Sequence, residues 1–175
     1  MHDFLGSLAA SHAASDLPIW EQIYRAAFPS FCAMVDHRQD GEHQRAGIDR
    51  SVILQNSKQI LIDEKIRYKP YNDILLEYLS NDRTGALGWV CKPLRADYIA
   101  YAIAPLGRCY LLPVIQLQTA WTQKGEFWKL TCREIVAKNR GYNTLSIAVN
   151  PDQLFPAIGA ALRVSFSPCE SMVMA

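Results

Sequence analysis

Two short apolar runs, Ile48–Leu54 and Ile60–Ile66, separated by Gln55-Asn56-Ser57-Lys58, constrain this chain more than any other feature. Both have strand length and high β-branched content, and the break between them is polar. They predict an antiparallel hairpin. Successive side chains of a strand point to opposite faces. Asp63 and Lys65 therefore share one face of the second run, and Glu64 points to the other. Folding the hairpin at Asn56-Ser57 brings Asp49 level with Asp63.

The rest of the chain supplies elements to pack against that hairpin. Asp16 reads as an N-cap, Pro18 fits a first helical turn, and Ile19, Trp20, Ile23, Tyr24 and Ala27 recur at helical spacing. Pro29 stops this helix near Phe28. Phe31–Val35 reads as a short buried strand, and the polar stretch Asp36–Arg45, with its Asp40-Gly41 turn signal, as a loop. Ile74–Leu79 gives another strand, and Tyr98–Ala104 and Arg108–Leu112 flank Pro105-Leu106-Gly107 as a second hairpin. A helix is expected from Pro113 to about Gln123, with the pattern blurring after Gly125. Ile135–Lys138 and Thr144–Val149 can pair across Asn139-Arg140-Gly141, and 151–162 looks helical. This order predicts an α+β fold with a mixed, largely antiparallel central sheet flanked by helices. No linker or repeat interrupts the 175 residues, so a single domain over 1–175 is expected.

Composition excludes several classes of function. Half the residues are hydrophobic and a fifth charged, a globular balance. Eighteen basic residues against seventeen acidic leave a net charge of +1, so no global positive field marks a histone-like binder. No apolar run approaches the ~20 residues of a membrane span. Residues 1–15 lack a basic n-region and do not read as a signal peptide. The five cysteines form no C-x-x-C pair, and the four histidines lack zinc-ligand spacing. Buried apolar thiols in a reducing, cytoplasmic compartment are the expectation. Nucleophile-elbow, Walker and dinucleotide glycine patterns are absent.

Chemistry concentrates at the hairpin. Two carboxylates held side by side repel, and a hard divalent cation relieves that repulsion. A lysine two residues beyond the second carboxylate can polarise a water or hold a phosphate, the minimum for metal-assisted phosphodiester hydrolysis. The bland alternative is a pair of edge strands with solvent-facing charges, Lys65 discouraging edge-to-edge pairing.

Asp49, a spacer of thirteen residues, then Asp63-Glu64-Lys65 resembles the D…(D/E)-x-K signature of the PD-(D/E)xK nuclease superfamily, which includes restriction endonucleases, Holliday-junction resolvases and phage exonucleases. The resemblance covers about residues 16–79. It implies a restriction-endonuclease-like fold and a Mg²⁺- or Mn²⁺-dependent deoxyribonuclease. On it, Asp49 matches the first metal-binding aspartate and Asp63 the second acidic ligand. Glu64 matches the variable position whose backbone carbonyl completes the metal shell, and Lys65 the catalytic lysine. Ile48 stands where the pattern nominally has proline, and more strands follow Lys65 than the minimal core needs. The acid that the leading helix sometimes contributes falls on Glu21, with Glu42 as rival.

Flanking residues fill out the expected site. Arg67 shares the face of Asp63 and Lys65 and could meet a phosphate, as could Gln44 and Arg45 just before Asp49. Lys58 and Lys69 read as solvated. Tyr68 and Tyr71, in a polar loop beside the motif, are the aromatics best placed to touch nucleic acid; the tryptophans and Tyr98 and Tyr101 read as packing. Glu77, four residues from Asp73, either extends the acidic cluster or pairs with Arg67 across strands. His37 and His43 read as loop histidines. The expected partner is nucleic acid, DNA before RNA, with no membrane role and with a homo-oligomer compatible. The alternative function is a non-catalytic nucleic-acid-binding or protein-interaction domain on a similar fold.

Overall fold

The computed structural model describes residues 18–168, so the expectations for the N-terminal segment, Asp16 and Cys169 lie outside the described residues. The order of elements is α1 (Ile19–Ala27), β1 (Phe31–Asp36), α2 (Gly41–Arg45), β2 (Arg50–Leu54), β3 (Gln59–Arg67), β4 (Ile74–Asn81) and β5 (Ala86–Leu87). There follow β6 (Tyr98–Ile103), β7 (Arg108–Pro113), α3 (Val114–Thr131), β8 (Arg133–Lys138), β9 (Asn143–Val149), α4 (Pro151–Ile158) and β10 (Leu162–Ser165). The class is α+β, as the order of elements implies. The described residues fall into two compact units: 18–71, 94–114 and 161–168 in one, and 72–93 and 115–160 in the other.

The first unit is built on a mixed six-stranded sheet in the order β1-β2-β3-β6-β7-β10. β2 and β3 form the expected antiparallel hairpin, with Arg50 opposite Ile62. Its turn is closed by the Leu54 amide bonding the Lys58 carbonyl at 2.9 Å, and by Asn56 Oδ1 accepting from the Lys58 amide at 3.1 Å. β6 and β7 pair antiparallel around the left-handed Gly107. A Cβ at that position would come within 2.5 Å of the Phe166 carbonyl, so the corner admits only glycine. β3 and β6 run parallel, Ile62 beside Tyr98 through Arg67 beside Ile103. A parallel pair needs a long crossover, which residues 68–97 supply.

α1 buries its expected stripe. Ile19, Trp20, Ile23 and Tyr24 are buried and pack with Phe31, Val52, Ile62, Ala100, Ala102 and Leu111 on one face of the sheet. Two charged side chains sit inside this packing. Arg50 Nε donates to Glu64 Oε1 at 2.6 Å, and the Tyr24 hydroxyl donates to the same oxygen at 2.6 Å. The Arg50 and Glu64 side chains are only 5% and 2% exposed. Burial pushes the Glu64 carboxyl up, while Arg50 and Tyr24 hold it down. The polar stretch expected to be a loop contains α2, capped by Asp40 Oδ1, which accepts from the Glu42 amide at 2.9 Å.

The second unit carries an antiparallel four-stranded sheet in the order β5-β4-β9-β8. The β8–β9 hairpin forms where expected. α3 runs past the predicted stop at Gln123 to Thr131. Glycine inside a helix costs about 1 kcal/mol against alanine. Here the Trp121 indole lies over Gly125, within 3.0 to 3.4 Å of where a Cβ would stand, so a larger residue would crowd it. α4 is capped by Asn150, whose side chain accepts from the Asp152 amide at 2.8 Å. The thiols depart from expectation: Cys109 is buried, Cys32 is exposed, and Cys91 and Cys132 are half-buried.

A buried charge stripped of its partner is strongly destabilising, whereas replacing the whole pair with apolar groups is close to neutral. Arg50→Met should therefore lower stability by about 3–5 kcal/mol in urea unfolding, and adding Glu64→Leu should restore most of it.

Candidate functional site

The strand that buries Glu64 against α1 turns Asp63 and Lys65 to the opposite face. Asp49 reaches that face just before β2. Left-handed Gly47 makes the bend, where a Cβ would fall 2.4 Å from the Leu94 side chain. The Asp49 amide then bonds the Ile62 carbonyl at 2.9 Å, and its own carbonyl accepts from the His37 amide at 2.8 Å. The ladder itself ends at Arg50 opposite Ile62, and Asp49, just outside it, brings its carboxylate to Asp63. Asp49 Oδ2 accepts from the Glu64 amide at 2.7 Å, so the backbone of the D-x-K segment orients the first acid.

Asp63 is 4% exposed, and Lys65 Nζ lies 2.5 Å from its Oδ1. Burial pushes the Asp63 carboxyl up to about 6. Lys65 opposes the shift, while Asp49 adds to it through its charge and through a hydrogen bond between the two carboxyls. Burial and the neighbouring carboxylate thus make Asp63 easier to protonate than a free aspartate. A divalent cation would relieve the same repulsion. The donor set, carboxylate oxygens with an ammonium alongside, suits a hard cation such as Mg²⁺ or Mn²⁺. Among the described residues no three His, Cys, Asp or Glu side chains gather as metal ligands. A cation here would take its side-chain ligands from Asp49 and Asp63.

The structure thus brings together Asp49, Asp63 and Lys65 and distributes the other candidates differently. The Glu64 side chain belongs to the ion pair with Arg50, leaving only its backbone on the site. Glu21 is a correction: it lies on the exposed side of α1, paired with Arg25 at 2.6 Å. α1 covers the face of the sheet opposite Asp63, because its apolar stripe seeks Val52 and Ile62. Glu42 is exposed on α2. Glu77 is in the second unit on β4, opposite Ser146, so it is no ladder neighbour of Arg67. Arg45 is exposed on α2, while the Gln44 amide donates to the Arg38 carbonyl. Tyr68 lies in the loop that follows β3 and packs partly buried against the α1 core. Arg67 keeps the Asp63 face by alternation, its guanidinium over the Tyr71 ring.

Sequence reasoning passed over a polar chain beside Asp49. Ser51, two residues on and fully buried, shares Asp49's face. Its hydroxyl is bonded to His37 Nε2 and to Gln59 Nε2, each at 2.6 Å. His37 stacks flat on His43 at 4.1 Å, and His43 Nδ1 contacts Asp40 at 2.8 Å. Strand alternation from Asp49 was the signal that marked Ser51; no local signal tied His37 to it. Lys65 is in register with the buried Tyr101 on β6.

The chain matches no family model, no curated protein and no solved structure. The site is therefore read from its own geometry.

The raised Asp63 carboxyl has a signed consequence. Because the folded state binds this proton more tightly than the unfolded chain, whose aspartate titrates near 3.9, the contribution is fully present below about pH 4. It is lost as pH rises through about 6. In chelator, urea unfolding of the wild type should show stability falling between pH 4 and 6 by on the order of 2–3 kcal/mol from this group. Asp63→Asn should flatten that slope and be as stable as wild type, or more so, at pH 7.

Proposed function

We propose that this protein is a metal-dependent nuclease that hydrolyses phosphodiester bonds in DNA. The observation that carries the reading is the buried Asp63 held against Asp49 with Lys65 at 2.5 Å. The resemblance of Asp49…Asp63-Glu64-Lys65 to the PD-(D/E)xK signature supports it. So does the face they share, since one edge of the scissile phosphate has to meet all three.

Each side chain has a distinct task. Asp49 and Asp63 hold the cation, and the Glu64 amide keeps Asp49 turned toward it. When bound, the cation supplies Lewis acidity, neutralising charge on the phosphodiester and lowering the pKa of water. Lys65 adds positive charge beside the attacking water and steadies the charge that develops on the phosphate. Arg67, next along the same face, contacts a phosphate and fixes the strand's register. Free thiols among the described cysteines fit a cytoplasmic setting. Among the described residues no helix is long and apolar enough to cross a membrane.

A structural ion pair is the rival reading, favoured by the closeness of Lys65 to Asp63. It predicts no cation dependence, so the two separate in one assay. Cleavage of single-stranded, duplex, flapped and four-way DNA should require Mg²⁺ or Mn²⁺ and stop in chelator. Lys65→Ala should lower turnover by about 10²–10³-fold with little change in DNA affinity, the mark of an interaction made in the transition state. Equal activity of wild type and Lys65→Ala would sink the assignment.

A further inference from the structure

β3 ends in a feature that the hydrolytic chemistry does not use. Asp63, Lys65 and Arg67 alternate along one face, and the Arg67 guanidinium sits 5.1 Å from the centroid of the Tyr71 ring. Tyr71 is 51% exposed, whereas Tyr68, three residues earlier, packs partly buried against the α1 core. The segment leaving the site therefore presents an aromatic ring to solvent and steadies it with a cation from the site's own strand.

An aromatic ring beside a cationic strand path is how proteins hold unpaired bases: each base has a π-face, and arginine strengthens the stack. The spacing suits this use. Arg67 lies four residue steps along the strand from Asp63, about 13 Å at ~3.3 Å per residue. That is the axial rise of roughly four stacked nucleotides at ~3.4 Å each. In a continuous duplex both faces of every base are covered by neighbours, so only an unpaired base can lie on Tyr71.

We propose that Tyr71, held by Arg67, is a stacking platform for an unpaired nucleobase, and that the site's substrate is DNA with a single-stranded tail or flap rather than continuous duplex. The identity of the bound strand rests on the nuclease reading; the platform itself is testable without cleavage. Arg67 sets the ring and the strand path, and Tyr71 discriminates between tailed and blunt ends.

The test uses the full chain in chelator with a tailed duplex carrying 2-aminopurine in the tail, whose fluorescence is quenched on stacking. Wild type should quench the probe and prefer tailed over blunt DNA. Tyr71→Leu should lose the quench and bind the tail about 5- to 100-fold more weakly. Tyr71→Trp should keep both, which separates lost stacking from a folding defect. With Mg²⁺ added, the ratio of tailed to blunt cleavage should fall toward one in Tyr71→Leu. A Tyr71→Leu variant that quenches and binds like wild type overturns the proposal. Tyr71-dependent quenching without cleavage of any substrate upholds the platform and refutes the nuclease reading. Cleavage of tailed and blunt DNA alike, with no quench, does the reverse.

Discussion

The side-chain alternation of β3 is held in place by one buried interaction, the Glu64 carboxylate locked between Arg50 and Tyr24. A strand has period two, so slipping by one residue exchanges its faces. Here a slip would drive Asp63 and Lys65 into the α1 core and expel Ile62 from it. With Glu64 paired at 2.6 Å to groups from β2 and α1, the correct face is selected by electrostatics as well as by apolar burial. That selection gives Asp49 an opposite number. The same peptide that carries Glu64 inward donates its amide to Asp49, so the structural ion pair and the candidate site share a backbone unit.

Both faces of this sheet bury a carboxyl. On the α1 side, Glu64 has a guanidinium and a phenol, which offset part of the upward push of burial. On the other side, Asp63 has a lysine but also a second carboxylate, and the balance is a carboxyl pushed up to about 6. A group tuned only for stability would not keep two acids in hydrogen-bond reach of each other. Sites that bind cations commonly trade stability for function in this way. Hydrogen bonds at Ser51 tie β2 to Gln59 on β3 and to His37 just past β1, beside Asp49.

The parts of the fold legible in the sequence were those governed by short-range rules. The β2–β3 hairpin, the β6–β7 corner at Gly107, the β8–β9 hairpin and the buried stripe of α1 all follow from periodicity and turn chemistry. The shared face of Asp63 and Lys65 follows from alternation along β3. What stayed hidden was set by contacts remote in the chain. The parallel β3–β6 pair, the late strand β10 beside β7 and the separation of a second sheet leave no local signature. α3 continues through Gly125, where the Trp121 indole lies close enough to crowd any larger residue, a contact the local pattern does not announce. Glu21 was misplaced for the same reason: a helical pattern shows which stripe is buried but not which face of a sheet receives it. The packing of the loop residue Tyr68 stayed hidden because the core it joins is assembled from α1 and distant strands.

Everything proposed about hydrolysis depends on Asp49 and Asp63 taking a cation. Calorimetric titration of Mn²⁺ into wild type and Asp63→Asn at pH 6, in two buffers of different ionisation enthalpy, measures this directly. The account predicts a cation site in wild type whose filling releases a proton, and no such binding in Asp63→Asn. Mn²⁺ binding of equal strength in both proteins, or no binding in wild type, would contradict it.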